Sequence, residues 1–168
     1  MKTVLVLGLV VLLVIGSAVA ASSETPEWIV YDTENSGLPD NYLTSALAID
    51  EQGSIWIGTR SRGLVKFDGK NWTVYDTDDS GLPDICVQDL AFDAQGNLWI
   101  ATGIEGGGGL AKFDGETWMV YNEVNSGLPH DRVGALAIDQ QGNIWIATRV
   151  RGLAVYREGG VILTGVQK

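Results

Sequence analysis

The chain has 168 residues, 45% apolar and 19% charged, with 11 Lys and Arg against 21 Asp and Glu and a formal charge of −10. That composition supports one packed domain and excludes a disordered polymer. So acidic a chain repels phosphate backbones, which excludes nucleic acid as a partner.

In chain order, Lys2, the apolar run 4–16 and Ser17-Ala18-Val19-Ala20 read as an export signal over residues 1–20, cleaved after Ala20. The rival reading is an uncleaved anchor, because the apolar run is near spanning length. Once the signal is cleaved, no membrane span is expected, and the localisation is secreted or periplasmic in a bacterium. Residues 21–168 then form one repeat domain.

Trp28–Tyr31 reads as a lone strand. A unit then recurs about every 45 residues, marked by Trp28, Trp72 and Trp118. Each copy has four β-like runs separated by Asp-x-x-Gly and Asp-Gly turns. The innermost runs are Leu43–Ile49, Ile85–Phe92 and Arg132–Ile138. The second runs are Ser54–Thr59, Asn97–Thr102 and Asn143–Thr148; the third are Leu64–Phe67, Leu110–Phe113 and Leu153–Tyr156. The fourth are Trp72–Tyr75, Trp118–Tyr121 and a degenerate Val161–Leu163. Four short antiparallel strands per repeat predict an all-β, propeller-type fold, with blades at 43–75, 85–121 and 132–163. The 6 Trp are read as wedges between blades, each burying about 150–250 Å². Cys86, the single cysteine, lies between Ile85 and Val87 and is read as a small buried hydrophobe rather than a reactive thiol.

The sequence Asn-Ser-Gly-Leu-Pro, then Ala-Leu-Ala-Ile-Asp, then Gly-Asn-Ile-Trp-Ile-Ala-Thr and Gly-Leu-Ala-Lys-Phe-Asp-Gly resembles the two-component regulator propeller repeat, over residues 27 to about 160. The resemblance implies a β-propeller on the outer side of a bacterial membrane, often the sensor domain of a hybrid histidine kinase that detects glycans or other nutrients. The chain holds no kinase or regulator segment, so a binding role is what carries over. A weaker likeness, through Gly-Asn-Leu-Trp-Ile, is to the streptogramin lyase propellers. Three readings follow: a non-catalytic module that binds or senses an extracellular glycan or partner protein, a lyase-like enzyme built around a catalytic His, or a structural remnant of a longer sensor. The first is preferred, since His130 is the only histidine and no nucleophile is placed to use it. No catalytic residue, cofactor or metal site is expected.

Three blades are too few for a ring, which typically takes about four to eight. A homodimer that closes a six-bladed ring is one solution, with Trp28–Tyr31 exchanged into the partner in place of Val161–Leu163. Chain direction gathers the loops that precede the first strand and those between second and third strands on one face. That face collects Asp40, Asp84, His130 and Asp131, and two Arg-x-Arg pairs, Arg60 with Arg62 and Arg149 with Arg151. Guanidinium groups bind carboxylate, sulfate or phosphate in bidentate fashion, so this face is the candidate site for an anionic ligand such as an acidic glycan. The preferred reading, however, pairs these arginines with Asp40, Asp84 or Asp131 of adjoining loops, because paired surface charges are common and acids are close at hand.

Overall fold

Alternation of apolar residues with period two, interrupted by glycine turns, places the strands. The computed structural model describes residues 27–104 and 107–163; the expected signal at 1–20 lies outside them. Eleven strands form three antiparallel sheets. The first runs β1 (Leu43–Ile49), β2 (Ile55–Thr59), β3 (Leu64–Phe67) and β4 (Trp72–Tyr75) in that spatial order. The second runs β5 (Val87–Phe92), β6 (Leu98–Thr102), β7 (Gly109–Phe113) and β8 (Trp118–Tyr121). The third holds β9 (Val133–Ile138), β10 (Ile144–Thr148) and β11 (Gly152–Tyr156). The first strands of the sheets adjoin one another, β1 against β5 and β5 against β9. The sheets therefore stack as successive propeller blades about those strands.

The third blade corrects the expected fourth strand. Val161–Leu163 forms no strand; the positive φ of Gly159 and Gly160 (79° and 110°) turns the chain off its course. Instead the side chain of Asn143 accepts from the Ile162 amide and donates to its carbonyl. The expected lone strand Trp28–Tyr31 is likewise no strand. Trp28, Ile29 and Val30 are exposed.

The second strands of the first two blades, β2 and β6, each direct one Trp into the gap before the next blade. Trp56 and Trp99 are 4% and 2% exposed. Trp56 stacks on Tyr75 at 5.7 Å and meets Phe92 and Phe113 of the second blade edge-on at 6.3 and 6.1 Å. Trp99 packs on Tyr121 and on Tyr156 of the third blade, both at 5.8 Å. A buried indole needs a partner for its N–H, and the Asp-x-x-Gly turn supplies it. Asp50, Asp93 and Asp139 accept from Nε1 of Trp56, Trp99 and Trp145 at 3.0, 2.9 and 2.9 Å. The other oxygen of the same carboxylate accepts two turn amides, those of Gln52 and Ser54, Gln95 and Asn97, or Gln141 and Asn143. Lys66 and Lys112 then cover the Trp56 and Trp99 rings at 4.9 and 5.5 Å. Between the second and third blades, Asp89 stands where the first and third have Ala46 and Ala135, and accepts the Leu136 amide at 2.7 Å.

Two outcomes follow. Asp93→Ala orphans the buried Trp99 N–H and is expected to cost about 1–3 kcal/mol, read as a fall in urea midpoint with unchanged slope. Desolvation raises the Asp139 carboxyl, but the Asn143 amide, the Trp145 indole and the backbone N–H groups outweigh it and hold it at about 2; Asp93 is held low in the same way. Unfolded Asp titrates near about 3.9, so this stabilisation is fully present above about pH 4 and is lost as the pH falls towards 2. A melting temperature flat across that window would contradict it.

Candidate functional site

The loops leading into the first strands are built alike. Asp32, Asp76 and Asn122 each cap a turn through their side-chain oxygen, to Glu34 and Asn35, Asp78 and Asp79, and Val124 and Asn125. Ser36, Ser80 and Ser126 donate back to the carbonyls of those same residues. Their hydroxyls also accept from Leu38, Leu82 and Leu128, whose buried side chains anchor each loop. Such loops are rigid supports for whatever side chains they carry.

The loops between second and third strands are equally constrained. The Arg60, Gly103 and Arg149 amides donate to the carbonyls of Tyr42, Cys86 and Arg132, which makes those three pairs equivalent positions of one frame. The middle blade thus has no side chain at Gly103, where its neighbours carry arginine. Arg60 and Arg149 both act on the thiol of Cys86, one from each flanking blade. Gly134 stands at a β-bulge in β9, and the Arg149 side chain lies across it. The Arg149 guanidinium then donates to Gln88 Oε1, Gln88 being the bulge residue of β5, and Gln88 Nε2 donates to Cys86 Sγ at 2.8 Å. The Arg60 guanidinium makes no hydrogen bond or ion pair to any described residue.

The remaining expected residues separate into two local sets. Asp40 accepts from Ser61 Oγ at 2.6 Å and from the Tyr42 amide at 2.8 Å; these bonds and the nearby Arg62 hold its carboxyl below the ordinary range. Asp84 accepts the Cys86 amide at 2.7 Å. Asp131 caps Glu123 N at 2.7 Å, and it is Glu123, at 3.4 Å, that pairs with Arg151. So Arg62 stands by Asp40 and Arg151 is paired with Glu123, while Arg60 and Arg149 act on Cys86 of the middle blade and make no ion pair with a described carboxylate.

Three residues at this face escaped sequence reasoning: Tyr42, 75% exposed, Gln88 and Arg132. The available signal was variation within the repeats. Tyr42, Cys86 and Arg132 all stand four residues after the Leu of Gly-Leu-Pro, so one position of a constant frame carries three different chemistries. Burial raises the Cys86 thiol above its usual value despite the Gln88 bond and the two arginines. The folded protein is therefore expected to resist thiol reagents at neutral pH and to react fully in denaturant. Rapid stoichiometric labelling of the native state would contradict this.

Residues 37–61, 81–103 and 127–150 each match the family described as two component regulator propeller. No curated protein matches the chain. Among solved structures, the chain is similar to the extracellular domain assigned to a hybrid two-component system of B. thetaiotaomicron, at 26% identity and a TM-score of 0.62, over 75% of this chain and 18% of that one. It shares its fold with PorZ, a surface component of the type-IX secretion system of Porphyromonas gingivalis, at 21% identity and a TM-score of 0.53, over 68% and 17%. It also shares its fold with a streptogramin B lyase, at 16% identity and a TM-score of 0.50, over 74% and 43%. The chain spans less than half the length of each.

Proposed function

Because this chain is built from two-component regulator propeller repeats, we propose that it is an extracytoplasmic binding module that takes an anionic ligand, such as an acidic glycan, on the arginine face without catalysis. The observation that carries this reading is Arg60: its guanidinium has no partner among the described residues and stands with Arg149 on either side of the arginine-free middle blade. Two like charges near one another in a chain of formal charge −10 are better satisfied by a carboxylate, sulfate or phosphate than by solvent. Tyr42, exposed on the same blade as Arg60 and bonded to its amide through the backbone, offers a ring face of the kind sugars stack on. Asp40, Asp84 and Asp131 orient the loops through backbone bonds rather than meeting the ligand.

Export is supported by residues 1–20 and by likeness to an extracellular domain; among the described residues no helix is long and apolar enough to cross a membrane. The lyase reading rests on one loop histidine, His130, whose Nδ1 accepts the Arg132 amide at 3.0 Å, and on a likeness of fold at 16% identity. A role as one part of a larger sensor fits the 18% of the B. thetaiotaomicron domain that the chain covers.

Titration with sulfated and uronate-containing oligosaccharides tests the site. Arg60→Ala with Arg149→Ala is expected to lower affinity for the anionic sugar that binds by about tenfold or more, or ~1.4 kcal/mol per factor of ten. Added salt should weaken wild-type binding in the same direction. Unchanged affinity in the double variant rejects the site.

A further inference from the structure

The blade stack ends in two faces that are complementary in detail. In the interior, Val87, Leu90 and Phe92 of β5 press on the first blade, and Val133, Leu136 and Ile138 of β9 press on the second. The equivalent residues of β1, namely Leu43, Leu47 and Ile49, are 47, 63 and 64% exposed. At the far end, Leu153 is 61% exposed where its equivalents Leu64 and Leu110 are 0 and 1%. Val155 stands there in place of Lys66 and Lys112, so the far face is more apolar than the buried ones. Apolar faces of this extent mark an interaction site.

The strand inventory is complementary as well. Among the described residues the third blade has no fourth strand, and none of them pairs with the outer edge of β11. Gly37 and Gly81 are each held against the fourth-strand Trp of their blade, with an added Cβ falling 2.6 and 2.2 Å from Trp72 and Trp118. The equivalent Gly127 has nothing within 4 Å. An apolar cleft opens at that point, lined by Ser126, Gly127, Leu128, Ala154, Val155 and Tyr156. At the other end, Tyr31 packs on Phe67 and Trp72 at 5.4 and 5.5 Å. That is how Tyr75, the last residue of β4, packs on Phe113 and Trp118 at 5.7 and 5.8 Å. Tyr31 therefore occupies the place of the last fourth-strand residue of a preceding blade. The three residues before it, Trp28, Ile29 and Val30, repeat the Trp-x-Val-Tyr pattern of β4 and β8.

We propose that two copies of the chain join head to tail into a six-bladed ring in which Trp28–Tyr31 of each copy becomes the fourth strand of the other's third blade. The occupant is a second copy because one chain carries both the surplus strand and the blade that lacks one, and a two-fold axis closes three blades into six with no edge left over. The β3–β4 ladder sets the register, Leu64 with Tyr75 through Phe67 with Trp72. Leu153 then pairs with Tyr31, Ala154 with Val30, Val155 with Ile29 and Tyr156 with Trp28. Trp28 fills the cleft over Gly127. The strand adds by backbone pairing, and side-chain pockets set its register.

Light scattering on the purified full chain should give a mass of two chains at micromolar concentration. Leu47→Glu and Trp28→Ala should each halve that mass with unchanged circular dichroism, since both side chains are exposed in the single chain. Ile29→Cys combined with Val155→Cys should yield a disulfide-linked dimer on oxidation, and neither single variant should. A wild-type monomer, an open polymer, or a dimer that persists in both Leu47→Glu and Trp28→Ala would overturn the proposal.

Discussion

The structure depends on burying a large ring that carries a polar atom. Trp56 and Trp99 fill the gaps between blades and are 4% and 2% exposed. An unpaired buried donor would cost about 1–3 kcal/mol, so each gap is tenable only because an Asp six residues earlier meets that atom. The same carboxylate closes the turn, which ties the blade's hairpin geometry to the position of its wedge. Blade shape and blade spacing are thereby set by one residue, and every repeat carries it.

That arrangement also explains why the loop face varies freely. With the core held by Asp, Trp and the anchoring Leu of each Gly-Leu-Pro loop, exposed positions such as Tyr42 bear little packing load, while Cys86 of the middle blade is buried. Arg60, Gly103 (which alone takes a positive φ, 104°) and Arg149 make the same backbone hydrogen bond and differ completely in chemistry. So do Tyr42, Cys86 and Arg132. The repeat frame supplies rigid placement, and its departures from repetition supply whatever recognition the face performs.

Much of this was legible from the chain alone. Repetition of Trp, Gly and Asp placed the strands to within a residue or two, and connectivity put both Arg-x-Arg pairs on one face. Contacts made between repeats were not legible. Nothing in the local sequence says that Arg151 meets Glu123 rather than Asp131, that Gln88 at a bulge joins Arg149 to Cys86, or that Asp89 secures the Leu136 amide. The fourth strand expected at Val161–Leu163 failed for a similar reason. Its β-branched residues suit a strand, but Gly159 and Gly160 turn the chain away before β11 can pair with it.

By itself, the amino-acid sequence determined the repeat unit, the strand order within it and the residues that wedge one unit against the next. These follow from short-range periodicity and turn chemistry, which act over a few neighbouring residues. Only the tertiary structure decided which arginines are neutralised, which end faces lie bare and where a strand is missing. Those outcomes depend on distances between side chains far apart in the chain, 28 residues for Arg151 and Glu123 and 61 for Arg149 and Gln88, set by how the strands and sheets stack, and no local pattern encodes them.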